Sequence, residues 1–171
     1  MVQYLHGFVG NRNLRRRLFI IMKGENKMNF GLFMLWFWSA YIIVTLVGIG
    51  HTCFNWKVLK MENKKEKISS MYDIVAYAKT VPFHPLYNII IWPIFSCIYF
   101  LQVRPVNIWI EALILGTSWS LITIIFDLFG WVIIKHPWRM TFKEMYVDYQ
   151  PWITLIYISI FVSPFIAVLF I

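Results

Sequence analysis

The stretch Ile108–Ile134, IWIEALILGTSWSLITIIFDLFGWVII, decides how the rest of the chain is read. Its apolar run is long enough to cross a hydrocarbon core of roughly 30 Å, which takes about 20 helical residues. Inside it, Gly116, Ser120, Thr123, Asp127 and Gly130 recur at the three- and four-residue spacing that places side chains on one helical face. A carboxylate in a membrane span is costly unless it faces protein, water or a partner, so Asp127 marks a candidate site.

Outward from this run, three further segments reach spanning length: Phe30 to Ile49, Leu86 to Val103 and Trp152 to Ile171. At 60% hydrophobic and 19% aromatic over 171 residues, the chain is too apolar for one water-soluble core. The expected fold is all-α: an integral, polytopic membrane protein of four antiparallel transmembrane helices, forming a single domain over 28–171. Between spans three and four, Thr141 and Glu144 fit a capping box. Phe142, Met145 and Tyr149 fall on one side of the segment, which predicts a short interfacial amphipathic helix with Trp138 and Trp152 as belt anchors. The segment Met71 to Thr80 reads as a second surface helix, with Ile74, Val75 and Ala78 toward the membrane and Tyr72, Tyr77 and Lys79 at the headgroups.

The 16 Lys plus Arg against 8 Asp plus Glu flank the spans, where basic residues set topology and meet anionic lipid. That distribution argues for membrane lipids, and against nucleic acid, as partners. Residues 1–27 form a basic extension whose apolar run, Leu18 to Met22, is too short for a signal peptide. Lys23-Gly24-Glu25 can be encoded by a purine-rich stretch resembling a bacterial ribosome-binding site, and the expected native start is Met28. From there, nine basic residues (Lys57, Lys60, Lys64, Lys65, Lys67, Lys79, Lys135, Arg139, Lys143) oppose Arg104 alone. Both termini are then expected outside a bacterial plasma membrane; counting from Met1, seven oppose nine and the bias vanishes.

Polar side chains gather at one end of the spans. His51, Thr52 and Asn55 follow the first, His84 and Asn88 open the second, Asp127 to His136 close the third, and Tyr146, Asp148 and Gln150 precede the fourth. Two more stripes join that of Asp127: Tyr41, Thr45, Gly48, His51 or Thr52, and Asn55 on the first span, and His84, Asn88, Trp92, Ser96 and Tyr99 on the second. Helix packing accounts for their small and hydroxyl residues, which hydrogen-bond across interfaces at about 0.6–2 kcal/mol each. Asp127 requires more: either a structural pairing with His or Arg, or an acid in a half-wet cavity.

The functional expectation is a His/Asp-lined pocket at the cytoplasmic face that binds or modifies a lipid or lipid-linked substrate. In its enzymatic form Asp127 orients a histidine, His84 or His136 is the general base, and Arg139 or Lys143 holds a phosphate. His51, Asn55, Asn88, Tyr146 and Asp148 complete the candidate binding residues. No cofactor motif occurs, and the histidines lack the HExxH, HxH or HxxxH spacing of a metal site. Cys53 and Cys97 lie at different depths and are expected as free thiols. Two other readings stand beside this one: an accessory, immunity-type or regulatory subunit binding another membrane protein, for which Trp36 and Trp38 in the first span are suited, and an oligomeric ion or proton carrier using Asp127 and Glu111.

Overall fold

The computed structural model describes residues 28–61, 70–136 and 139–171. The basic extension 1–27, the charge run of the first loop and Trp138 lie outside these residues. Every regular element among those described is helical. Helix α1 (Phe30–Lys57) is followed by a 3-10 turn (Met71–Asp73), α2 (Val75–Thr80), a second 3-10 turn (Val81–Phe83) and α3 (His84–Val103). Then come α4 (Ile108–Asp127), continued by a π-helical segment (Leu128–Ile133), a further short π segment (Glu144–Asp148) and α5 (Trp152–Val168).

Three helical runs are long and apolar enough to cross a membrane: Phe30–Lys57, Val75–Val103 and Ile108–Ile133. The second begins earlier than expected because Pro82 and Pro85 fall in the first turns of their elements, where a missing N–H costs nothing. Pro93 and Pro164 lie inside continuous helices. The fourth apolar helix is shorter, 17 residues. Helix starts follow local chemistry: Asn29 and Asn107 cap α1 and α4 by accepting from Leu32 N and Ile110 N.

The predicted stripes turn inward. Asn88, Trp92, Ser96 and Tyr99 are buried on α3, as are Gly116, Ser120, Thr123 and Asp127 on α4. Outward faces carry Ile42, Leu46, Leu113, Leu121, Ile125 and Ile158, about half-exposed aliphatics suited to a hydrocarbon solvent. Helix α5 packs on α3 and α4, while α1 packs on α3 and α2. A Cβ at Gly116 would lie 2.3 Å from the Phe161 carbonyl oxygen, so glycine is what lets α4 and α5 meet backbone to backbone.

Two details depart from the expected packing. Most hydroxyls turn back on their own helices, as Thr45 to Tyr41 O (2.8 Å), Ser96 to Trp92 O (2.9 Å) and Thr123 to Trp119 O (2.8 Å) show, whereas Ser120 crosses to Tyr157 O at 3.2 Å. On α2, Tyr77 is buried with Ala76 and Thr80 rather than held at a headgroup level. Trp36 and Trp38 also pack inward: the Trp36 indole donates to Gln102 at 2.9 Å, and Trp38 meets Phe126 edge-on with centroids 4.8 Å apart.

Candidate functional site

A cavity of about 320 Å³ opens between the α1, α2, α3, α4 and α5 ends that carry the polar cluster. Tyr41, Val44, Thr45 and Gly48 of α1 line one wall, His84, Asn88 and Trp92 of α3 another, and Thr123, Asp127 and Trp131 a third. Ile153, Ile156 and Ile160 of α5 form the apolar back, and Met140, Met145 and Tyr149 close the end. The cavity reaches the surface beside Ile49 and Cys53, both exposed on α1.

Asp127 is buried at the last residue of α4, and its partners correct the expected pairing with histidine or arginine. Tyr41 donates to Oδ1 at 2.8 Å and Tyr157 to Oδ2 at 3.1 Å. One carboxylate thereby ties α1 and α5 to α4. The Trp131 indole also bonds the carboxylate, and with about four acceptor positions the group can still accept from a ligand.

His84 is held at both nitrogens. Its Nδ1 bonds the Tyr149 hydroxyl, and its Nε2 lies 3.3 Å from Thr80 Oγ1. Thr80 spends its one proton on the Tyr77 carbonyl at 2.7 Å, so it accepts from Nε2–H. The neutral ring therefore carries its proton on Nε2 and accepts at Nδ1 from Tyr149. Burial, then the neighbouring Tyr77, keeps the Tyr149 phenol well above its ordinary range, which fits it as that donor. A ring so engaged is positioned but has no lone pair spare for a substrate proton.

The remaining predicted residues divide by place. Asn88 lines the cavity, donating to His84 O (2.8 Å) and accepting from Trp92 Nε1 (2.7 Å). His51 bonds the Tyr87 hydroxyl, and Tyr87 is the lining residue. Asn55 donates to Ala76 O at 3.2 Å, fastening α1 to α2 away from the cavity. His136 bonds Gly130 O (2.8 Å) and meets Trp131 edge-on, outside the lining. Arg139 is exposed, Tyr146 packs on Phe142, and Lys143 pairs loosely with Asp148 at 3.9 Å on the surface. None of these last four lines the cavity, so the expected phosphate grip does not form there.

The capping box between α4 and α5 is present: Thr141 N and Oγ1 donate to Glu144 at 2.6 and 2.9 Å, and Glu144 N donates back to Thr141 at 3.2 Å. Met145 and Tyr149 are buried behind it, while Phe142 is exposed. Both cysteines are free, and among the described residues no three His, Cys, Asp or Glu side chains gather closely enough for a metal ion. Tyr157 and Tyr149 are the site residues that sequence spacing missed, since each acts across a helix–helix contact.

No family model, curated protein or solved structure matches the chain.

Proposed function

We propose that this is a four-span, antiparallel protein of a bacterial plasma membrane whose cytoplasmic end holds a binding pocket for an amphiphile drawn from the bilayer. The single observation that carries this reading is the cavity itself: about 320 Å³, walled by aliphatic and aromatic side chains, with Asp127 and His84 among few polar groups. Such a composition is that of a ligand site, in which apolar area supplies affinity and a few polar groups fix orientation. Binding is favoured over catalysis because Asp127 holds two phenols rather than a histidine, and both His84 nitrogens are engaged. In this reading the Thr141–Asp148 segment and Trp152 lie at the headgroup level, with α5 as the fourth span.

Native mass spectrometry of the detergent-purified protein tests the reading. A co-purifying amphiphile is expected on the parent and is expected to be lost from an Asp127→Asn, His84→Ala double variant. A parent spectrum empty after incubation with total membrane lipid refutes it.

A further inference from the structure

The cavity's charge pattern selects the kind of head group. Asp127 is its acid, and among the described residues no Lys or Arg lines it. Lys57, Lys60, Lys79, Lys135, Arg139 and Lys143 are all exposed. A phosphate inside would sit near a carboxylate with no cation to neutralise either group, and a buried unpaired charge is strongly disfavoured. Six electron-rich aromatic residues, Tyr41, Tyr77, Tyr87, Trp92, Trp131 and Tyr149, are instead among the lining.

Ring faces attract a cation that has left water, and attraction to a carboxylate strengthens as the local dielectric falls. From these features, and resting on the pocket reading above, we infer that the cavity takes an amphiphile whose polar end is one cationic nitrogen, an amine or quaternary ammonium, and whose tail is apolar. The nitrogen sits against Asp127 within the rings; the tail runs along Ile153, Ile156 and Ile160. The exposed lysines oppose a cation only through water, where screening confines their effect to about 8 Å. Asp127 acts inside the cavity, without that screening. Entry beside Ile49 and Cys53 admits the ligand from the bilayer rather than from water.

The test offers the full-length protein, in maltoside micelles, an equimolar mixture of dodecyltrimethylammonium, dodecanol and dodecyl phosphate, and counts retained adducts by native mass spectrometry. The expected result is a preference of about tenfold or more for the ammonium over the phosphate, with dodecanol between them. Asp127→Asn is expected to reduce that preference to within about threefold, and Trp131→Leu to weaken ammonium retention about fivefold. Should Asp127→Asn fail to fold, the parent selectivity and the Trp131→Leu result decide. Equal or better retention of the phosphate overturns this inference and leaves the pocket reading standing, whereas retention of no probe at all overturns both.

Discussion

Helix α4 carries a buried carboxyl at each end, and the two have been put to different uses. Glu111, in the first turn, accepts from the Tyr99 phenol at 2.5 Å and does not line the chamber at the other end. Asp127, at the last residue, accepts from two phenols and faces an open chamber. Burial and a tyrosine partner are common to both. What distinguishes the second end is acceptor capacity beside the chamber, which Glu111 does not line.

The most severe way to break this comparison is to remove both ends at once through the contact between them. Gly116→Ala drives a methyl into the Phe161 carbonyl, 2.3 Å from the ideal Cβ, and helix backbones have no rotamer with which to yield. The expected loss is about 3 kcal/mol, with the thermal midpoint in detergent falling and ligand retention lost. Next in size is Tyr99→Phe, which leaves a buried Glu111 oxygen without its donor at a cost of about 1–3 kcal/mol. Tyr41→Phe is expected to cost about 1 kcal/mol or less, since the carboxylate keeps its Tyr157 donor. Paired thermal-shift measurements on these two variants sharpen the contrast; equal losses would abolish it.

The smallest effect lies outside the spans. Burial alone would raise the Glu144 carboxyl, but hydrogen bonds from the Thr141 backbone, Ser70 and the Thr141 hydroxyl outweigh it and hold the group below its ordinary range. A carboxyl depressed in the folded state contributes stability above its unfolded pKa, and that contribution disappears as pH falls through the folded value. Stability measured from pH 7 down to pH 3 is therefore expected to decline on the acid side by a step that Glu144→Gln lacks. The cap keeps this step at or below about 1 kcal/mol.

Helical period made much of this legible. The stripes from Asn88 to Tyr99 and from Gly116 to Asp127 were readable as inward faces, because small and polar residues in an apolar run have few other reasons to align. Their convergence with Tyr41, Thr45 and Gly48 at one end was readable too. What spacing along the chain does not encode is which side chains meet across helices. His136, Arg139 and Lys143 are near Asp127 in sequence, yet the chain carries them away from the chamber; Tyr157 is distant and arrives by the packing of α5, and Tyr149 comes from the segment just before it. The expected start of the second span is Leu86, yet Pro82 and Pro85 sit in the first turns of helical elements and the run extends back to Val75.

The unequal lengths of the helices bear on the solvent as well as on the protein. At 1.5 Å per residue, the 28 residues of α1 extend about 42 Å and the 17 of α5 about 25 Å. In the four-span arrangement proposed above, α5 falls short of an average hydrocarbon slab while α1 overshoots it. The bilayer must then pinch along one flank of the bundle and leave α1 standing proud at the other, at a fraction of a kcal/mol per ångström of misfit. Local thickness thus becomes a property the protein imposes: lipids with shorter chains relieve the pinch, and headgroups dip toward the flank where α5 backs the chamber.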